Sequence, residues 1–380
     1  MQHDIEISSK EESELIKKLE MREDVEAKRL VRFLGMKDLS RTEGSPITEL
    51  VKRIRALPRY ENFEILKVPE IVRADLSFDK FNFAPDHPAR STSDTYYVND
   101  EYILRTHTTV MWYYHIREKL VQEKMKNHEP VGALCHGKVY RKDEIDRNHM
   151  NTFHQIDGWY LAPKEKEAIT EETLKDVLAE IAKATFGNDI NYRFNKDTFP
   201  YTDPSIEMEI EVGGRWIEVL GSGIVHPAVL KNFGVDTDVY QGWAFGFGLE
   251  RLAIISMDLP DIRLLWSQDP RVTKQLNLGQ KYVPVSKYPP ITRDISFIVS
   301  SDFVPNNYFD LIRDLGGELV EEVQLLDKYE NVEKFGKGKI SYTYRIVYRN
   351  NDRTLLSSEV DAIQENIYKA TKEQFMAELR

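Results

Sequence analysis

Residues 137–161 read "GKVYRKDEIDRNHMNTFHQIDGWYL", two stretches of period-two alternation around a polar loop. Side chains alternate across a pleated strand. Val139, Arg141 and Asp143 therefore share a face of the first strand, and Phe153, Gln155, Asp157 and Trp159 share a face of the second. An arginine, two aspartates, a glutamine and aromatic rings do not make an apolar core face. A solvated face is one reading. The other is a site, with Arg141 for a phosphate or carboxylate, Phe153 as a stacking platform, and Gln155 and Asp157 as acceptors for an ammonium group.

A second stretch, "GWAFGFGLERLAIISMDLP" (242–260), crowds Gly242, Gly246 and Gly248 before a helical pattern. Glycines weaken a strand, so such crowding points to a close approach to the backbone. Arg251 falls in the first turns of the helix, where backbone N–H groups favour an anion. A structural ion pair accounts for Arg251 equally well.

Outward from these stretches, strands alternate with helices from "FEILKVPEI" to about residue 270, and period-two alternation predicts a largely antiparallel sheet. Residues 1–44 read as one or two charged helices forming an N-terminal extension, and "ITELVKRIRALPRY" (47–60) as a helix started by Ser45-Pro46. The order of elements assigns 45–275 to the main domain and 276–288 to a linker. Residues 289–380 follow the order β-α-β-β-α, a small split βαβ domain. The fold class is α+β.

With 380 residues, 41% hydrophobic and 30% charged, the composition is that of a soluble globular protein with room for two domains. One cysteine, Cys135, excludes an internal disulfide and a cysteine-based zinc cluster, which favours a reducing compartment. The first forty residues show neither a secretory apolar core nor an acid-poor transit peptide, so cytoplasm is expected, a processed organellar form aside. A net charge of −11 argues against non-specific binding of long nucleic acid, though not against a structured RNA held at a few places.

Several motifs match one family in order and spacing: "FNFAPDHPARSTSDTYY" (81–97), "LRTHTT" (104–109), "VYRKDEID", "FHQIDG", "FPYTDPSIEMEI" (199–210), "WIEVLGSGIVHP" (216–227) and "GWAFGFGLERLAI". The chain resembles the phenylalanyl-tRNA synthetases, class II enzymes built on an antiparallel sheet flanked by helices. Its last hundred residues resemble their ferredoxin-fold anticodon-binding domain. Catalytic core and anticodon domain on one short chain are similar to the single-chain organellar type.

The resemblance implies ATP, phenylalanine and tRNA(Phe) as partners, with Mg²⁺ accompanying ATP. It implies that Arg141 holds the α-phosphate and the amino-acid carboxylate. Arg251 then clamps the far end of ATP and stacks on adenine opposite Phe153, while the glycines let the substrate ring lie against the backbone. His149 reaches the phosphates, and Asp143 helps hold the adenine or its partner arginine. Glu218 and Glu211, across the "GGR" turn, are candidate Mg²⁺ ligands; an outward acidic face is the alternative for Glu211. Phe199 and Tyr201 sandwich the substrate ring edge-to-face, Ala244 limits its para end with Gly246 alongside, and His107, Thr109, Gln155 and Asp157 bind the ammonium and carboxylate. In the tail, Arg293, Arg345, Arg349 and Arg353 are candidates for the anticodon stem-loop, or else scattered solvated arginines.

Tyr201, Asp157, Thr109 and Ser93 depart from the usual bacterial pattern of Phe, Glu, Ser and Trp. They leave another aromatic amino acid open as substrate, and a non-tRNA acceptor remains the alternative to tRNA. No membrane partner is expected, and the chain is expected to be a monomer or a homodimer.

Overall fold

The computed structural model describes residues 2–144, 146–285 and 288–380. It divides into two compact units, Met1–Arg141 with Thr152–Leu259 and Leu276–Lys281, and Lys142–Asn151 with Pro260–Gln275 and Tyr282–Arg380.

The first unit is organised by an eight-stranded sheet. Its strands are β1 (His3–Glu6), β2 (Glu64–Lys67), β5 (Val131–Tyr140), β6 (Thr152–Pro163), β7 (Tyr192–Phe199), β8 (Thr202–Val212), β9 (Arg215–Val225) and β10 (Tyr240–Gly248), in the order β1-β2-β5-β6-β10-β9-β8-β7. From β5 outward through β6, β10, β9, β8 and β7 every pairing is antiparallel. The sheet is therefore largely antiparallel, as expected; at the other edge β1 pairs with β2, and β2 with β5, in parallel. The N-terminal segment is thus not helical throughout. "HDIE" adds a strand that lays Ile5 beside Leu66, whose cluster buries Val131, Cys135 and Trp159. A short pair, β3 (Ile71–Arg73) and β4 (Tyr102–Leu104), stands apart from the main sheet.

The helices start where the side chains dictate. Ser9 Oγ accepts from Glu12 N at 3.1 Å, and Asp24 Oδ1 from Ala27 N at 2.9 Å, capping helices Lys10–Glu20 and Val25–Leu34. Helix Pro46–Arg55 begins with Pro behind Ser45 and buries Ile47, Leu50, Val51 and Ile54 on one stripe. Helix Leu249–Met257 follows β10 with no intervening loop, Gly248 being its N-cap residue.

The second unit carries β11 (Ile291–Ser300), helix Pro305–Gly316, β12 (Val320–Glu330), β13 (Lys339–Tyr348), helix Ser357–Phe375 and β14 (Glu378–Leu379), with strand order β12-β13-β11-β14. The terminal strand, too short to show periodicity, completes the second βαβ half and extends the expected β-α-β-β-α. Tyr342, Tyr344, Ile346 and Tyr348 of β13 are all buried in one cluster with residues of both helices, as their shared face predicts.

Candidate active site

The register of the large sheet places the functional positions in rows. Cys135, Asp157, Gly246, Gly221 and Glu207 form one row across five strands. The row on one side holds Gln155 and Gly248, and the row on the other holds Trp159, Ala244 and Gly223. Asp157 is buried and accepts from the hydroxyls of Thr108 and of Thr109, the latter at 3.3 Å. Burial pushes its carboxyl up to about 6, against the hydroxyl bonds and the charges of Arg141 and Arg105, which pull it down. Thr108 is a contact that sequence reasoning missed; it lies inside the quoted "LRTHTT", one residue before Thr109.

Gly246 has a different task from the one expected. A Cβ there would stand 1.7 Å from Asp157 Oδ1, so this glycine makes room for the carboxylate and not for a substrate ring. A ring does lie over a glycine in the row, but it belongs to the protein: Phe199 Cζ would be 3.1 Å from a Cβ at Gly221. Gly242 admits the Tyr160 backbone and the Leu161 side chain, and only Gly248 faces open space.

His107 and Gln155 bring further acceptors. His107 Nε2 lies 3.1 Å from Ser77 O, so Nε2 carries the proton and Nδ1 presents a lone pair. Burial lowers this imidazole to about 4 and keeps it neutral. His107 Nδ1 and Gln155 Oε1 are both buried and lack a hydrogen-bond partner among the described residues. Buried acceptors without donors are costly and uncommon, and they mark where a donor is missing.

Phe199 and Tyr201 stand parallel, their centroids 5.6 Å apart and their planes inclined by 5°. A third ring between them requires about 7 Å, twice a van der Waals contact of about 3.5 Å. No third ring stacks between their faces, and the expected edge-to-face contact requires no such gap. Phe81 and Phe83 flank Tyr201 at 6.1 Å each. Trp159, on the face read as a site, is instead sealed in the core, stacked on Trp112 at 4.6 Å.

Arg141 is the first residue beyond β5. Its Nε donates to Thr106 O at 3.0 Å, and its guanidinium carbon stands 5.3 Å from the Phe153 ring centroid. Arg251 sits in the first turn of its helix, half exposed, with Nη1 3.3 Å from Glu218 O and 3.8 Å from Glu218 Oε1. The adjacent Glu250 points inward. Its carboxylate accepts from His154 N at 2.8 and 2.9 Å and from His154 Nδ1 at 2.6 Å, which ties the helix start to β6. The sequence showed Glu250 beside Arg251 but not its partner, ninety-six residues away.

Glu218 and Glu211 are not cross-strand partners. Glu218 pairs with Glu209 across a register shift, while Glu211 pairs with Trp216 and accepts from Asn191 Nδ2 at 3.0 Å. Glu209 is itself bound by Arg193 at 2.5 Å. No cluster of three or more His, Cys, Asp or Glu suited to a metal ion occurs among the described residues.

Asp143 and His149 fall in the second unit, in segment Lys142–Asn151. Asp143 Oδ1 accepts from Glu144 N at 2.8 Å and its carbonyl from Arg313 Nη1 at 3.0 Å, while His149 Nδ1 lies 2.8 Å from Asp146 Oδ2. In the tail each candidate arginine already faces a carboxylate: Arg293 with Asp361 at 2.8 Å, Arg345 with Asp294 at 2.7 Å, Arg349 with Glu321 at 2.9 Å and Arg353 with Glu359 at 2.6 Å. They do not form a row of unmatched positive charge.

Residues 32–276 match the family described as tRNA synthetases class II core domain (F), and residues 286–380 match the ferredoxin-fold anticodon binding domain. Among curated proteins, the chain is 39% identical over 333 residues to "Phenylalanine--tRNA ligase, chloroplastic/mitochondrial" of Arabidopsis thaliana, covering 85% of this chain and 73% of that one. It is 35% identical over 342 residues to "Phenylalanine--tRNA ligase, mitochondrial" of Mus musculus, covering 80% and 72%. To "Phenylalanine--tRNA ligase alpha subunit" of Aquifex aeolicus it is 39% identical over 251 residues, covering 62% and 70%.

Proposed function

The chain belongs to the class II aminoacyl-tRNA synthetases, and from that premise we propose that it activates phenylalanine with ATP and transfers it to the 3′-terminal ribose of tRNA(Phe). One observation carries the choice of substrate. Two buried acceptors without donors, His107 Nδ1 and Gln155 Oε1, occur with a buried carboxylate, Asp157, in a unit that also offers a stacked aromatic pair. An α-amino acid with a flat apolar side chain supplies what is lacking: N–H donors for the acceptors, and a ring for Phe199 and Tyr201.

In this reading Asp157, His107, Gln155 and Thr109 orient the ammonium end, and Ala244 and Gly246 line the pocket. Arg141 holds the amino-acid carboxylate against the α-phosphate, Phe153 stacks on the base, and Arg251 meets the triphosphate. The carboxylate attacks the α-phosphorus in line, a new P–O bond forms, and pyrophosphate leaves. The charge that builds on the phosphate oxygens faces guanidinium groups fixed in advance. Mg²⁺ fits the residues present as an ion shared with ATP phosphates, because it needs only one or two carboxylates; Glu218 is the first candidate and Glu211 the second. It would neutralise phosphate charge. No side chain is assigned as an obligatory base. The adenylate then acylates a terminal ribose hydroxyl.

ATP–pyrophosphate exchange measured with phenylalanine, tyrosine and tryptophan in turn tests the substrate. Exchange absent with phenylalanine but present with another amino acid rejects it. One observation favours a second reading, an aromatic substrate with a polar ring substituent: Tyr201 Oη has no hydrogen-bond partner among the described residues. The tail arginines are proposed as the tRNA contact despite their ion pairs. Arg345→Ala is expected to lower tRNA charging and leave exchange intact, and equal loss in both assays rejects the RNA role. We also propose a monomer in a reducing, cytoplasmic setting, checked by sedimentation and cell fractionation.

A further inference from the structure

Arg105 follows β4 directly and is 2% exposed, yet among the described residues no carboxylate forms an ion pair with it. Its guanidinium is spent on main-chain carbonyls: Nε donates to Lys138 O at 2.7 Å, and Nη1 to Val68 O at 2.8 Å and to Pro69 O at 3.3 Å. The main chain is held alongside, with Arg105 N donating to Glu70 O at 2.9 Å and Tyr140 N to Arg105 O at 3.0 Å. β5 opens for the head at Gly137, where a Cβ would stand 2.6 Å from Arg105 Nη2.

A buried cation without a counter-charge is costly. Three carbonyls do not demand one, because neutral donors satisfy them with less desolvation. The residues that follow give the cation a purpose. Thr106 O accepts from Arg141 Nε at 3.0 Å, His107 presents its unpartnered Nδ1, and the hydroxyls of Thr108 and Thr109 donate to Asp157. Four consecutive residues thus join the group assigned to the substrate carboxylate to the group assigned to its ammonium. Arg105 bolts that run to β5 and to the connection between β2 and β3.

We propose that Arg105 is a positioning residue for amino-acid activation: its fork fixes residues 106–109 so that Arg141 and Asp157 meet the two ends of one amino acid. This role rests on the substrate class assigned above. The charge acts as well as the fork. Cys135 and Tyr201 also interact with the Asp157 carboxyl, but burial keeps both neutral, pushing the thiol up to about 11 and the phenol above its ordinary value. Arg141 and Arg105 are the cations that pull the carboxyl down. Once Arg141 engages a substrate carboxylate, Arg105 remains to favour the ionised form.

ATP–pyrophosphate exchange by the full chain between about pH 5 and 8 tests it. It is run with whichever aromatic amino acid the wild type activates, so failure with phenylalanine alone rejects that substrate and not Arg105. Arg105→Met is expected to raise KM for the amino acid at least about tenfold and to leave KM for ATP within about threefold. The pH below which the amino-acid KM climbs should move up by about one unit. Arg105→Lys keeps the charge and loses the fork, so KM should rise while that pH stays in place. An enzyme that is only destabilised loses active sites, which lowers kcat and leaves both KM values and the pH midpoint unchanged. That pattern in Arg105→Met overturns the role. Should circular dichroism show Arg105→Met unfolded, a wild-type amino-acid KM in Arg105→Lys overturns it instead. A raised KM with an unmoved midpoint in Arg105→Met overturns the part given to the charge.

Discussion

Asp157 carries a conflict between folding and binding. Its carboxyl titrates at about 6, above the usual 3.8, because burial costs the charged form more than two threonine hydroxyls return. A raised folded pKa means that the substrate-free chain is favoured by protonation. The contribution is full below about 3.8 and is lost as pH rises to about 6; at pH 7 ionised Asp157 costs on the order of 3 kcal/mol. A bound ammonium reverses the preference. Thus KM for the amino acid should climb as pH drops below about 6 while KM for ATP stays flat, a split that exchange kinetics at several pH values will read. Asp157→Asn should lower kcat/KM for the amino acid by about 10- to 100-fold, yet raise the unfolding temperature at pH 7. A mutant that binds normally or melts earlier contradicts this. Gly246→Ala tests the same carboxylate from the neighbouring strand. A displacement of about 1 Å costs about 100-fold in positioning, and circular dichroism should show the fold retained. Alternation alone put Gln155 and Asp157 on one face, and the helical pattern put Arg251 in a first turn. That Gly246 faces Asp157, or that Glu250 meets His154, depends on pairings about ninety residues apart and is invisible locally.

At the scale of elements, β6 was legible because Phe153, Gln155, Asp157 and Trp159 alternate along it, whereas β5 is buried throughout and ends at Tyr140, leaving Arg141 and Asp143, expected on that strand, beyond it. β1 was not legible, with four residues of which only Ile5 is apolar. Its position comes from tertiary pairing, where β2 offers a free parallel edge and Ile5 and Ile7 meet the core. Removing residues 2–7 should expose that edge, lower the unfolding temperature and raise light scattering on heating. Unaltered melting and scattering would show β1 to be dispensable. The tail arginines illustrate the converse failure. Of the four only Arg345 lies within β13, and the acids that answer them come from β11, β12 and helix Ser357–Phe375, out of reach of any local pattern.

At the scale of the whole molecule, the chain has separate apolar clusters: one around Trp112, Trp159 and Tyr240 in the first unit, and another around Phe297, Tyr308 and Tyr344 in the second. Cores that do not share side chains need not melt together, so two-state behaviour is not expected at this size. Scanning calorimetry should resolve at least two transitions, with a calorimetric enthalpy above the van't Hoff value. A ligand identifies which is which. Asp157, Gln155, Phe199 and Tyr201 all lie in the first unit, so phenylalanine should move only that unit's transition. At a hundred times its Kd the ligand adds about 2.7 kcal/mol, and for about 250 residues each kcal/mol is worth about 2–4 °C, giving a shift of about 5–10 °C. The other transition should stay in place. One transition with equal enthalpies that moves as a whole would mean that the two cores unfold as a single cooperative body.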